Sequence, residues 1–376
     1  QFSSVYKLTE YVGDQGISIS NLEFTPDGYS LVYVRGNTKN RQGEAANPGL
    51  LDEDTEQAIF IHSLNNRKKI KISKGSRPSI SHDGHTIAFV KEGQIWTASL
   101  NDSIRQPKKL FNIRGSQSDI NWSPNDNYLA FTSSRSDNSY IGVYSFKDMK
   151  VVFMDPSVDR DFSPEWSPNN KKVAFIRRPY AKDVPPFSPQ KSARPWSIRV
   201  LDLNSGQSTS LWEADLGMGS AFFNQFPRAA LEWTNDNQLI FPWEKNGWMH
   251  LYSLDVQSGN TSQLTYGDGI VEQYHLNNED NYILFTTNVN DMHARHIGKI
   301  YLDSKKTVML TNGEGTEVSP LPVKKGFVFL KTTAQHTSRP AVFTKGEEQL
   351  IGNKTKIFKN QRTPDVIKIS ATDGNE

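Results

Sequence analysis

Short hydrophobic segments separated by polar turns recur along the whole chain. In each copy a polar turn, clearest as Trp-Ser-Pro-Asn, leads to an apolar segment that ends in an aromatic residue. These closing residues are spaced 56, 42, 44, 66, 44 and 44 positions apart, so a basic period of 42 to 44 residues contains two insertions. The closing aromatics are Tyr33, Phe89, Phe131, Phe175, Phe241, Phe285 and Phe329.

The repeat predicts four short strands per period. A second apolar segment follows each aromatic, as in Ile95-Trp96-Thr97, and turns such as Asn204-Ser205-Gly206 lead into a further strand. Repeats of this length and strand content are typical of propeller blades, which must stack because one blade cannot bury both faces of its sheet. The sequence therefore predicts an all-β, seven-bladed β-propeller of four-stranded antiparallel blades over residues 1–360. The blades are expected near 19–73, 77–116, 117–161, 162–215, 228–269, 270–315 and 316–355.

Composition excludes several classes of function. Lys plus Arg total 43 and Asp plus Glu 41, with no long basic run, which argues against a nucleic-acid partner. The absence of cysteine excludes disulfides, thiolate zinc sites and thiol nucleophiles. No apolar window is long enough to predict a membrane span. Because the chain begins at Gln1, we expect a periplasmic or secreted bacterial protein whose signal peptide has been removed.

The motifs of common active sites are missing from the sequence. The segment nearest to a Gly-x-Ser-x-Gly elbow, residues 217–221, lacks the final glycine and is interpreted as a loop. His293 and His296 lie three positions apart without a metal-binding pattern, and no glycine-rich phosphate loop follows a strand. The sequence therefore predicts no catalytic residue, no metal ligand and no cofactor in this chain.

The first insertion, about residues 36–57, contains an acidic cluster of Asp52, Glu53 and Asp54. A carboxylate pair in a cavity is a natural partner for a substrate amine. The competing interpretation is a solvated charged loop.

The second insertion, about residues 179–195, directly follows Arg177 and Arg178. Two guanidinium groups beside a proline-rich loop could hold a peptide carboxylate or carbonyl. The competing interpretation is ordinary surface ion pairing. Loops on a rigid scaffold carry much of the binding chemistry of proteins, so both insertions are candidate sites.

Residues 241–252 form the most distinctive segment. It predicts a hairpin whose strands are joined by Lys245-Asn246-Gly247, since Asn-Gly is the favoured pair for a type I′ turn. The order Trp243, Gly247-Trp248-Met249-His250-Leu251-Tyr252, Gly259 and Leu264-Thr265 resembles the prolyl oligopeptidase family, especially its bacterial dipeptidyl-peptidase-like members. The Trp-Ser-Pro-Asn repeats resemble the propeller of that family and also Tol-associated periplasmic propellers.

The C-terminal residues 364–376 resemble the strand with which that family enters its α/β-hydrolase domain. The resemblance implies that residues 361–376 are a linker and first strand leading to a hydrolase domain that this chain lacks. It also implies that the parent polypeptide is a serine-type peptidase whose Ser, His and Asp lie in that domain, and that this segment alone is inactive.

In such an enzyme the propeller would control the access of short peptides to the active site and position them there. By this resemblance Arg177, Arg178, Glu244 and Trp248 are expected to face the cavity, with the loop of Asp52, Glu53 and Asp54 as a further candidate. The paired-glutamate motif of the dipeptidyl branch has no counterpart, because Glu347-Glu348 lies in a different sequence context. The Arg-Arg-Pro insertion looks closer to acylaminoacyl-peptidase-like members.

Two other functions remain as alternatives at this stage. One is a stand-alone periplasmic propeller of the Tol-associated type that binds a protein partner. The other is a propeller enzyme such as a lyase or glycosidase, for which the sequence shows no acid/base or metal cluster. The sequence leaves open whether the chain forms a homodimer.

Overall fold

The computed structural model describes residues 7–11, 16–37, 56–101, 106–180, 194–217, 219–222 and 230–352, together with residues 362, 365 and 367. Within these residues the chain forms 28 strands and no helix. Accordingly, the described part of the chain contains no helix able to cross a membrane.

The strands follow one another in seven groups of four, numbered here in chain order. Group 1 comprises β1 (Ile19–Phe24), β2 (Ser30–Arg35), β3 (Ala58–Ser63) and β4 (Lys69–Lys74). Group 2 comprises β5 (Ser76–Ile80), β6 (Thr86–Lys91), β7 (Gln94–Ser99) and β8 (Lys108–Lys109). Group 3 comprises β9 (Ser116–Trp122), β10 (Tyr128–Arg135), β11 (Asn138–Ser145) and β12 (Lys150–Phe153). Group 4 comprises β13 (Arg160–Trp166), β14 (Lys172–Arg178), β15 (Ser197–Asp202) and β16 (Ser208–Glu213).

The remaining groups continue the same pattern. Group 5 comprises β17 (Glu232–Trp233), β18 (Gln238–Trp243), β19 (His250–Asp255) and β20 (Thr261–Gln263). Group 6 comprises β21 (Val271–Asn277), β22 (Tyr282–Thr287), β23 (His296–Tyr301) and β24 (Lys306–Met309). Group 7 comprises β25 (Thr316–Val323), β26 (Gly326–Thr333), β27 (His336–Thr344) and β28 (Glu347–Leu350).

Five of these groups form separate four-stranded antiparallel sheets, whereas seven separate blades were predicted. Groups 3 and 4 form a single eight-stranded sheet. They are joined by one parallel residue pair, Ser139 with Arg160, at the ends of β11 and β13. The merger has a simple physical cause, because the two sheets approach closely enough at that corner for backbone hydrogen bonding, including Ser139 N–H to the Asp159 carbonyl at 3.3 Å.

The core consists of six hydrophobic clusters, and each lies between two consecutive groups. They involve groups 1 and 2, 2 and 3, 3 and 4, 4 and 5, 5 and 6, and 6 and 7 in turn. Successive sheets therefore cover each other's faces, as stacking requires. In the described residues no such cluster joins group 7 to group 1, and Phe24 on β1 is 60% exposed.

The closing aromatics are confirmed as packing residues. Each lies on the second strand of its group and is at most 2% exposed. In two groups the space for the ring comes from a glycine directly opposite on the third strand, where Gly142 faces Phe131 and Gly298 faces Phe285. A Cβ at either glycine would collide with the phenylalanine ring.

The polar turns connect neighbouring groups. The Asp126 carboxylate accepts the backbone N–H groups of His82 and Asp83 at 2.9 Å, and Asn170 accepts the N–H of Asn125 at 2.9 Å. These turns join the first and second strands of groups 2, 3 and 4, so these three groups share one orientation. We call this side of the molecule the turn end.

Candidate functional site

The strand ends that flank the two insertions, and the hairpin connection, lie on the side opposite the turn end. In an antiparallel four-stranded sheet, the connection between the second and third strands lies opposite the first turn. The chain from Arg35 to Ala58, the chain from Arg178 to Ser197 and the connection 244–249 are all of this kind. We call this side the insertion end. Asp52, Glu53 and Asp54 lie outside the described residues.

Arg177, near the insertion end of β14, is already engaged inside the protein. Its guanidinium donates to both carboxylate oxygens of the fully buried Asp161, at 2.7 and 2.8 Å, and lies 3.2 Å from the Asp155 carboxylate. Asp155 also pairs with Arg199 at 2.8 Å. Burial opposes the charged form, but the bonds and charge of Asp161 outweigh it and raise the pKa of Arg177. Arg177 therefore lies in a network of ion pairs inside the protein, and its expected contact with a peptide stays a prediction.

Arg178, the next residue, is different because it has no carboxylate partner among the described residues. Its guanidinium lies 5.9 Å from the centre of the Phe162 ring, and it is directly opposite Arg160 in the register of β13 and β14. Arg160 itself donates to the Asp137 carbonyl at 3.0 Å. Burial, followed by the charge of Arg160, lowers the pKa of Arg178. The site therefore holds a partly desolvated cation for which the described residues supply no anion.

The predicted hairpin over residues 241–252 is confirmed, but the prediction of a type I′ turn was wrong. The last cross-strand pair is Trp243 with His250, so six residues connect the strands. A type I′ turn needs positive φ at both central residues, whereas Asn246 has none and Gly247 has φ of 84°. Met249, the last residue of the connection, is buried in the cluster between groups 5 and 6.

Glu244 and Trp248 lie in this six-residue connection and are both partly buried. Burial raises the pKa of Glu244. The start of the connection packs tightly on Gly219, where a Cβ would lie 2.6 Å from the Glu244 carbonyl. The Gly219 carbonyl accepts the indole N–H groups of Trp243 at 3.0 Å and Trp196 at 3.2 Å. This loop is thus fixed to the chain between groups 4 and 5.

A continuous series of aromatic rings connects the surroundings of Arg178 with those of Glu244. Adjacent ring centres along the series are 4.8 to 5.2 Å apart. Such spacing is the usual range for attractive ring contacts. The rings are, in order, Phe162, Phe222, Trp196, Trp212 and Trp243. The two candidate charges therefore lie at the ends of one rigid apolar wall that spans groups 4 and 5.

A partly buried acidic pair, which sequence reasoning missed, lies near the same seam. Glu165 accepts a bond from the Asn121 amide at 2.9 Å and from the Trp233 backbone N–H, while Glu232 accepts the Leu276 N–H at 2.8 Å. Burial first, and the charge of Glu232 second, raise the pKa of Glu165 to about 8. Both residues precede a tryptophan at the end of a first strand. That repeated Glu-Trp pair was the available signal.

The histidine pair noted in the sequence has a structural explanation for one member. His296 Nδ1 lies 2.9 Å from the fully buried Glu317 carboxylate, which also accepts the Thr311 hydroxyl at 2.8 Å. Lys331 lies 3.1 Å from the other Glu317 oxygen. Across the described ranges, no group of three or more His, Asp or Glu side chains is arranged to hold a metal ion.

The chain is similar to one protein family model and to solved structures of peptidases. Residues 196–338 match the family model described as the dipeptidyl peptidase IV (DPP IV) N-terminal region. No curated protein sequence matches the chain. The β-propeller domain of the Trilobed protease from Pyrococcus furiosus is 17% identical with a TM-score of 0.58, covering 90% of this chain and 98% of that one. Porphyromonas gingivalis dipeptidyl peptidase 4 is 13% identical with a TM-score of 0.63, covering 89% of this chain and 52% of that one.

A third similar structure is Pyrococcus horikoshii acylaminoacyl peptidase, 17% identical with a TM-score of 0.55, covering 90% of this chain and 52% of that one. The chain thus spans about half the length of the two peptidases. At these identities the likeness establishes the fold, which is a propeller of four-stranded antiparallel blades. The resemblance drawn from the sequence is confirmed: residues 196–338 match the dipeptidyl peptidase IV N-terminal region, on the fold of prolyl oligopeptidase family propeller domains.

Proposed function

We propose that this chain is the non-catalytic gating and substrate-positioning propeller of a serine exopeptidase that cleaves short peptides. The enzyme would be dipeptidyl peptidase-like or acylaminoacyl peptidase-like. The family match over residues 196–338 and the fold shared with peptidase propellers support this assignment. The parent polypeptide would carry its Ser, His and Asp in a hydrolase domain following this segment, and the segment alone would not cleave peptides.

The seven groups are proposed to be seven blades. Groups 3 and 4 each have four consecutive strands like the others, and a single parallel residue pair joins them. Each also takes part in a separate core cluster with its outer neighbour. On this reading the eight-stranded sheet is two blades that touch at one corner.

The observation that carries the proposed role is the guanidinium of Arg178. It is partly desolvated, lacks a carboxylate partner within the described residues and lies at the insertion end beside the aromatic wall. A short peptide offers a terminal carboxylate and carbonyl groups, which guanidinium binds with directional hydrogen bonds. Glu244 would bind the positively charged end of the peptide, since a partly buried carboxylate attracts an ammonium group. Trp248 lies in the same connection and would supply an apolar contact.

The test uses the natural full-length polypeptide and a panel of aminoacyl and X-Pro chromogenic peptides. We expect it to be much heavier than 42.5 kDa and to cleave members of the panel, while residues 1–376 alone do not. The substitution Arg178→Gln should lower kcat/KM by roughly 10- to 100-fold, as expected for the loss of a charge-assisted hydrogen bond. Arg178→Lys should recover part of that loss by restoring the charge.

The matched control is Arg67→Gln, which removes an exposed arginine from the turn between β3 and β4 at the turn end. It should leave kcat/KM unchanged. If the natural chain ends near Glu376 and cleaves nothing, the peptidase proposal fails and the partner-binding propeller replaces it. If the enzyme is active but Arg178→Gln behaves like the control, the positioning role of Arg178 is wrong while the peptidase assignment stands.

A further inference from the structure

A cavity of about 470 Å³ lies between groups 6 and 7 at the turn end, away from the insertion end. Its position is set by the turn 324–326 of group 7 and by the wall of β22 and β23 in group 6. Its volume falls in the usual range for small-ligand sites. None of the residues considered above for peptide binding lines it, so it is a separate feature that does not depend on the proposed function.

The floor of this cavity is aromatic and already ordered. Tyr282 and Phe327 are 7% and 3% exposed and belong to the core cluster between the two groups. Phe327 stacks on Phe343, with ring centres 5.0 Å apart and ring planes 20° from parallel. Because the rings are held by the core, a flat ligand group would meet a preformed apolar surface at little ordering cost.

Four lysines surround that floor, and one aspartate, Asp280, faces them. Lys299 is partly buried, with its ammonium 3.8 Å from the Tyr282 ring centre and 4.5 Å from the Tyr301 ring centre. Among the described residues it has no carboxylate partner. Aromatic faces attract the cation but do not neutralise it. This ammonium is therefore a positive charge beside the cavity that forms no ion pair with any residue the structure describes.

The other three lysines are Lys324, Lys325 and Lys345, which stand exposed on two adjacent turns of group 7. The first turn is held against β27, because a side chain at Gly326 would collide with the Phe343 carbonyl. The whole chain has a net charge of only +2, so four lysines against one aspartate represent a local excess. Clustered like charges of this kind raise the local concentration of counter-ions.

We propose that this cavity binds a small aromatic polyanion, a flat ring that carries several carboxylate or phosphate groups. The ring would lie against Phe343, the partly exposed member of the stacked pair, and the negative groups would meet Lys299 and the lysines of the adjacent turns. Carboxylate and phosphate share this chemistry, and the experiment separates them. A neutral aromatic would lack the charge contacts, and an inorganic anion would lack the floor.

The test titrates the full-length polypeptide by calorimetry at low salt with four probes. Trimesate carries three carboxylates on a benzene ring, adenosine triphosphate carries phosphates on a nucleoside, inorganic triphosphate has no ring, and benzyl alcohol has no charge. We expect a dissociation constant below about 1 mM for trimesate or adenosine triphosphate, and at least tenfold weaker binding of the last two probes. The tighter of the first two identifies the anionic group.

Variants locate the binding to the cavity. Lys299→Gln should weaken binding of the aromatic anion roughly tenfold. The control, Lys305→Gln with Lys306→Gln, removes two exposed charges where β24 begins and should change the binding little. Phe343→Leu should weaken the aromatic anion but not inorganic triphosphate, and a thermal melt confirms that each variant is folded. Three results would overturn the proposal: no binding of either aromatic anion, equal binding of inorganic triphosphate, or equal losses in the control.

Discussion

Replacing Glu165 by glutamine should change how the stability of the protein depends on pH. Glu165 is partly buried near Glu232, and burial and the charge of Glu232 raise its pKa from the ordinary 4.5 to about 8. It is therefore protonated in the folded protein at neutral pH and ionised in the unfolded chain. Glutamine is a permanently neutral group of the same shape, and it can still accept the bonds from Asn121 and the Trp233 N–H.

The direction of the effect follows from proton binding. Between pH 4.5 and about 8 the folded protein holds one more proton at this site than the unfolded chain, so the free energy of unfolding falls as pH rises. The slope is at most about 1.4 kcal/mol per pH unit, which amounts to about 5 kcal/mol over the whole interval. The favourable contribution is fully present below pH 4.5 and is lost as pH passes through about 8.

The assay is urea unfolding of wild type and Glu165→Gln at several values from about pH 5 to about pH 9. We expect the two proteins to be nearly equal in stability at the acid end, with the variant more stable by several kcal/mol at the alkaline end. Glu279→Gln removes an exposed carboxylate from the turn between β21 and β22 and is the control. It should follow the wild-type curve.

The quantity that decides the matter is the difference between the two curves. If wild type and Glu165→Gln keep a constant difference across the pH range, the carboxyl is not protonated in the folded protein and the reasoning is wrong. If the variant is less stable by the same amount at every pH, the substitution has removed a hydrogen bond and not a carboxyl group that titrates in this range.

Other substitutions test the packing and the charges of the insertion end. Gly219→Ala should cost about 2 to 4 kcal/mol in urea unfolding, while Gly217→Ala, also at positive φ but with open space around it, should cost about 1 kcal/mol. Arg177→Gln should lower the free energy of unfolding by about 3 to 5 kcal/mol because a buried carboxylate loses its partner, whereas Arg178→Gln should be neutral or slightly stabilising. Gly142→Ala should lower the melting temperature, because the added methyl group would collide with the Phe131 ring on β10. Combining it with Phe131→Leu should recover part of the loss. Equal effects within either of the first two pairs, or no recovery in the third, would contradict the corresponding contact.

The repeat pattern predicted most of the strands because the packing of this fold is local. Each closing aromatic sits on a strand whose neighbours in sequence are also its neighbours in the sheet, so a period read from the chain becomes a period in space. The merger of groups 3 and 4 depends on one residue pair between strands, which no periodicity encodes. The six-residue length of the connection after Trp243 could not be predicted, because Asn-Gly is also common in longer turns.

The candidate site was predicted less well, and the two arginines show why. Alternation along β14 places Arg177 and Arg178 on opposite faces, but the sequence does not say which face meets a buried carboxylate. Asp161 and Arg177 face each other across a hairpin, and only the register shows it. The pair Glu165 and Glu232 arises from contact between different sheets, which the separate strand patterns do not reveal.

The carbonyl of Gly219 gives the protein an optical property. One acceptor receives the indole N–H groups of Trp196, in the group 4 chain, and Trp243, in group 5. Indole emission shifts to longer wavelength when the ring gains access to water, so separation of these two sheets would change the fluorescence of both rings at once. Any ligand that moves this seam should therefore be visible in the unlabelled protein by its tryptophan spectrum.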